Sequence, residues 1–166
     1  MKKFLCLSAI IILSSFSFNF EEYEIIKIVN LERKPIVEGT INGKVAYFLL
    51  DTGSDLTILN RKDSEKYNFK VVLREYGRQK VASFGGIQSD ILNTYNIDLK
   101  LGSQLIDTEI HSYDLSPVIE SLKIKTNIKI SGIIGSNIMK KYGFMIDYTN
   151  AEVGIKKLAS KKGNKI

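Results

Sequence analysis

Asp51 stands at the end of six uncharged residues, 45–50 (Val-Ala-Tyr-Phe-Leu-Leu), and is followed by Thr52, Gly53 and Ser54. Strand interiors avoid aspartate, so a carboxylate there either closes a turn or is aimed at something. An Asx-turn finished by Thr52 and Gly53 accounts for these residues with no chemistry at all. If the carboxylate is aimed, composition narrows what it can do. The chain has one Cys and one His, Cys6 and His111, which cannot build a zinc site between them; a lone Cys also excludes a disulfide within the chain. Chemistry is expected to run on carboxylates, hydroxyls, lysines or backbone groups, with no metal or cofactor.

Two further segments accompany Asp51. Gly135 lies 84 positions beyond it, within Ser131-Gly132-Ile133-Ile134-Gly135-Ser136-Asn137-Ile138-Met139, and Phe144-Met145-Ile146-Asp147-Tyr148 follows. Between them comes Phe84-Gly85-Gly86-Ile87. In this order the segments resemble the retropepsin-like aspartic proteases, and most closely their secreted bacterial branch. That family joins an apolar strand running into Asp-Thr-Gly, a Gly-rich flap hairpin, and an apolar-apolar-Gly segment before a short helix. The resemblance covers about residues 36–158.

It implies a mostly-β fold, a retropepsin-like closed barrel or sandwich with one or two short helices and one catalytic lobe per chain. It implies an aspartic endopeptidase with Asp51 catalytic. Thr52 would hydrogen-bond across the site to a second chain, Gly53 would keep the loop backbone close, and the Ser54 hydroxyl would support the outer carboxylate oxygen. Phe84, Gly85 and Gly86 would form a flap closing over an extended polypeptide substrate, with a plain hairpin turn as the lesser alternative for those glycines. Ile133, Ile134 and Gly135 would pack behind the catalytic loop.

Peptide hydrolysis by carboxylates needs one group to activate water and another to donate a proton. Two full charges ~3 Å apart at an effective dielectric of ~20 repel by about 5 kcal/mol, or about four pKa units. Such a pair holds one proton and titrates as a unit, so activity is expected at acidic to mildly acidic pH. This chain has a single Asp-Thr-Gly, because Asp107-Thr108 continues with Glu109 and Asp147-Tyr148 with Thr149. A homodimer with one Asp51 from each chain is the simplest way to assemble the pair.

The chain departs from the family in two respects. Retroviral members place an Arg after the third segment's Gly, paired with an Asp just past the catalytic loop; here Asp55 is present, but Ser136 stands where the Arg would be. The long separation of the motifs implies inserted structure around residues 113–126. A non-catalytic peptide-binding or assembly module of the same fold is therefore the alternative. Asp147 reads as a structural residue before a turn at Thr149-Asn150, and His111, beside Ser112 and near Asp114, as a partly exposed strand residue.

The elements that must hold these residues are short β-branched and aromatic runs between turns. Strands are expected at 23–29, 35–41, 44–50, 56–59, 70–74, 80–84, 95–101, 105–112, 128–131, 144–148 and 152–156. Asn42-Gly43 is the strongest hairpin turn. Helices are expected at 61–67, after Asn60, and at 137–142, capped by Ser136 and stopped at Gly143. A short helical turn is expected after Ser116-Pro117.

The N-terminus reads as an address. Lys2 and Lys3 precede an apolar run, and Ser15 and Ser17 fit the small positions of a cleavage site, so residues 1–17 are expected to be a signal peptide and the protein exported to the periplasm or secreted. The 17 uncharged residues 4–20 leave an uncleaved anchor as the alternative. The domain then spans 18–158 and a basic tail 159–166, which is suited to weak contact with an envelope surface. Lys+Arg 24 against Asp+Glu 18 gives +6. Without Lys2 and Lys3 the charge is +4, and neither value, nor the basic stretch 66–80, is a nucleic-acid footprint.

Overall fold

The computed structural model describes residues 22–32, 34–72, 79–83 and 86–157, with 79–83 and 86–90 described by backbone alone. The leader, the residues Phe84 and Gly85, and the basic tail lie outside the described residues. The elements in chain order are β1 (Tyr23–Asn30), β2 (Ile36–Ile41), β3 (Lys44–Leu50), β4 (Ile58–Asn60), a 3-10 turn (Arg61–Asp63), α1 (Ser64–Tyr67), β5 (Lys70–Val72), β6 (Gln79–Ser83) and β7 (Gly86–Tyr95). There follow β8 (Leu99–Leu101), β9 (Gln104–Leu105), β10 (His111–Tyr113), α2 (Ser116–Thr126), β11 (Gly132–Ile134), α3 (Ser136–Lys141), β12 (Met145–Asp147) and β13 (Glu152–Lys156). The fold is mostly β, as the patterning implies.

The strands link in the order β12-β13-β1-β2-β3-β11-β4-β10-β7-β5, with β6 on β7 and the β8–β9 pair on β2. The expected barrel is not closed by hydrogen bonds: among the described residues no ladder joins β5 to β12, the three-residue strands that end the path. The decisive part is the middle. β3 pairs with β11 in parallel, and β11 pairs with β4 antiparallel, so the chain leaves β3, loops outward and returns on the far side of β11. Whatever ends β3 is thereby set in a loop pinned at both ends.

β2 and β3 form the hairpin that Asn42-Gly43 promised, with φ of 49° and 75° at the two turn residues. The Asn42 side chain also gathers the neighbouring turns. Its Nδ2 donates to the carbonyls of Tyr67, Asn68 and Asn96 at 2.9, 3.2 and 2.9 Å, and its Oδ1 accepts from Asp98 N–H at 2.7 Å.

One apolar cluster, including Phe48, Leu50, Leu59, Tyr67, Ile134, Ile138 and Tyr142, forms the main core. A second, of Ile36, Leu49, Leu115, Ile119, Leu122 and Ile130, lies under α2. Leu115, Ile119 and Leu122 are spaced i, i+4, i+7 and so share one helical face; burying each is worth about 1.5–3 kcal/mol.

The structure corrects several boundaries. The strand expected at 128–131 is instead β11, Gly132–Ile134, beginning four residues later. Ser131 leads into it, its N–H bonded to Tyr47 O at 2.7 Å and its carbonyl to Asn60 N–H at 2.8 Å. The turn after Pro117 is a full helix, 11 residues long, within the stretch expected to hold inserted structure. Ser116 opens it and Leu115 takes the N-cap position, while Asp114, one residue earlier, accepts from Ser116 N–H at 3.0 Å. Gly135, not Ser136, takes the N-cap position of α3. The strands expected at 95–101 and 105–112 are shorter, and most of the first gap belongs to the ten-residue β7.

Candidate active site

Asp51 sits at the first position past β3, where the ladder to β11 ends with its own N–H donating to Ile134 O at 3.0 Å. The next residues turn back on its carbonyl and its carboxylate. Ser54 N–H donates to Asp51 O at 3.1 Å, and Gly53 N–H donates to Asp51 Oδ1 at 3.1 Å. The Asx-turn geometry is therefore present in this loop: Oδ1 orients the turn, and Oδ2 is left outside it. The Asp51 side chain is 32% exposed, and the Lys34 ammonium stands 3.5 Å from Oδ2. Lys34 comes from the link between β1 and β2, which is tied to the same place because Leu50 N–H donates to Pro35 O at 2.9 Å.

The loop's return path is packed without slack. A Cβ built on Gly135 would lie 2.3 Å from Leu56 O and 2.8 Å from Ser54 O, so only glycine fits there. Ser136 N–H donates to Ser54 O at 2.7 Å. Fully buried Thr57 completes the closure: its hydroxyl accepts from Gly135 N–H at 3.0 Å and donates to Asn137 Oδ1 at 2.9 Å. Thr57 and Asn137 were not among the residues expected from the sequence. The signal was present as a hydroxyl six residues past Asp51 and an amide two past Gly135, but neither type demands a partner until the fold supplies one.

Of the residues expected at the site, Asp51, Thr52, Gly53, Ser54, Ile133, Ile134 and Gly135 come together around this one loop. Thr52 is exposed at its tip. Ile133 and Ile134 pair with Leu49 and Leu50 beside it, Ile134 fully buried. The Ser54 hydroxyl, expected on the carboxylate, donates instead to Leu56 O at 2.8 Å, because the loop's own carbonyl lies closer in its path. Phe84 and Gly85 lie outside the described residues, while Gly86 opens β7 in a hairpin with register Ser83↔Gly86.

Residues set aside on sequence grounds are employed elsewhere. Asp147 accepts from Thr149 N–H, Asn150 N–H and Asn150 Nδ2 at 2.8, 3.0 and 2.7 Å, and these bonds to Asn150 hold its carboxyl below the usual range. His111 is buried, not partly exposed, because β10 runs between β4 and β7. Asp55, matching the acidic half of the missing ion pair, is exposed.

The family model described as retroviral aspartyl protease matches residues 31–147. The chain belongs to that family. Among relatives, the Retrovirus-related Pol polyprotein from transposon 412 of Drosophila melanogaster is 31% identical over 110 residues, 63% of this chain but only 7% of the polyprotein's length. Among solved structures, an EIAV protease complexed with the inhibitor HBY-793 is similar at TM-score 0.49 and 24% identity, over 69% of this chain and 92% of that one. A retropepsin-like aspartic protease from Rickettsia conorii is similar at TM-score 0.49 and 16% identity, over 80% of this chain and 89% of that one.

Proposed function

We propose that this protein is an aspartic endopeptidase whose site holds two copies of Asp51, one from each chain of a homodimer. The observation that carries this reading is the Asp51 loop itself. A single chain offers one partly exposed carboxylate, with one oxygen held by Gly53 N–H and the other facing the exposed ammonium of Lys34 at 3.5 Å. Water activation beside proton donation requires a second carboxylate, and two-fold symmetry supplies it at no cost in sequence. Thr52, exposed at the loop tip, would hydrogen-bond to the second chain.

In the paired state one carboxylate takes a proton from the bridging water as that water attacks the peptide carbonyl, and the other donates its proton to the developing oxyanion. Collapse of the tetrahedral intermediate passes a proton to the leaving nitrogen and returns the pair to its single-proton form. The β6–β7 hairpin is the element suited to close over an extended substrate, binding it through the main chain. The working protein is exported, with the leader 1–17 removed and the basic tail free to touch an anionic envelope surface.

Mixing wild type with Asp51→Asn chains tests the two-chain site. If each site needs two Asp51, excess variant drags activity down faster than dilution, because mixed pairs are dead. A strictly linear fall would mean that each chain works by itself.

A further inference from the structure

We propose that Lys34 is a latch on Asp51 that disfavours the paired state, so that assembling the site requires this side chain to swing away. The inference rests on the reading that two copies of Asp51 form the site. It starts from how the two carboxylate oxygens are employed. Oδ1 is committed to Gly53 N–H at 3.1 Å, so Oδ2 is the oxygen left to face a second carboxylate, a proton or a water. The Lys34 ammonium occupies that side at 3.5 Å.

In the single chain, Asp51 thus has its counter-charge from within. In a symmetric pair each carboxylate would face another carboxylate across a shared proton, and an ammonium beside either oxygen competes with that proton for the same negative charge. Lys34 is built to leave. Its side chain is 51% exposed, on a flexible four-carbon stem, while the backbone next to it is anchored by the bond from Leu50 N–H to Pro35 O. An exposed ion pair is also weak enough to break on association. The latch therefore tunes the concentration at which chains pair without preventing pairing.

Sedimentation equilibrium at low salt on wild type, Lys34→Met and the charge-matched control Lys100→Met measures this without substrate. Lys100 pairs with Asp98 on the distant β8 side, at 3.6 Å, and its removal changes net charge by the same amount. Two latches are released per dimer, so Lys34→Met should lower the dimer Kd by about three- to thirty-fold relative to Lys100→Met. High salt should shrink the gap, and an Asp51→Asn background should erase it. Unchanged or weaker association in Lys34→Met, or no association of any variant, would overturn the latch. Cleavage assays on the same samples keep the two inferences apart. Absence of Asp51-dependent cleavage would count against the peptidase, while the Kd comparison still decides the role of Lys34.

Discussion

Thr57 shows how few atoms hold the Asp51 loop in place. Its hydroxyl is the only side-chain group among the described residues that bonds both Gly135 N–H and Asn137, across 78 and 80 positions. Thr57→Val keeps the shape and removes both bonds in a fully buried place, so stability should fall by about 1–3 kcal/mol, read as a lower denaturant midpoint. Activity should fall further than stability, since the loop loses its tie to α3. Gly135→Ala attacks the same closure sterically and should cost about 3 kcal/mol, the upper end for overpacking, because the contacts are backbone atoms that cannot rotate aside. A variant as stable as wild type would show that the loop is not packed as described. Asp51 and Gly135 were legible in the sequence because a carboxylate ending an apolar run and a glycine after two isoleucines are unusual in themselves. Thr57 and Asn137 are ordinary residues whose partners are brought near only by threading β11 between β3 and β4, and Lys34 is equally ordinary, reaching Asp51 through the register of the β2–β3 hairpin.

The strands and turns followed from patterning wherever a local signal was decisive, as at Asn42-Gly43. The alternation Ile128-Lys129-Ile130-Ser131 points to a strand there, but the ladder forms on Gly132-Ile133-Ile134, because that segment pairs with β3 on one side and β4 on the other, which no local pattern marks. Asn42→Ala should lower stability by about 2–4 kcal/mol, since it removes a side chain that serves three turn carbonyls and puts a Cβ-bearing residue with no local hydrogen bond at a φ of 49°. Asn42→Gly should recover only the backbone share of that loss. Helix α2 carries a pH dependence. The Ser116 hydroxyl and amide, and then Lys62, hold the Asp114 carboxyl down from 3.8 to about 2. A carboxyl lowered by folding stabilises the fold above its unfolded value, and that contribution is lost as pH falls from about 4 towards 2. These bonds thus stay in place through the mildly acidic range where a carboxylate pair works. In Asp114→Ala the fall in denaturant midpoint over that interval should be shallower than in wild type; an identical slope would show that Asp114 is not part of it.

Among the described residues the chain carries the Asp51 loop, the β6–β7 hairpin and a terminal sheet in which β1, β13 and β12 pair within the chain. The family and the mostly-β fold could be read from three short motifs in order. The open sheet path and the length of α2 could not, because both depend on which edges meet. On the proposed reading chain pairing decides function: cleavage per chain should rise steeply with protein concentration and then level, and a flat dependence from nanomolar upward would speak for a site complete in one chain or a dimer too tight to dissociate. The most direct measurement is cleavage of an unstructured protein by the leader-free chain from about pH 3 to 7, beside Asp51→Asn. Cleavage confined to the acidic side and abolished by that single substitution is the expected result. Cleavage that survives in Asp51→Asn, or none by folded wild type at high concentration anywhere in that range, would contradict the assignment of Asp51 as the catalytic carboxylate.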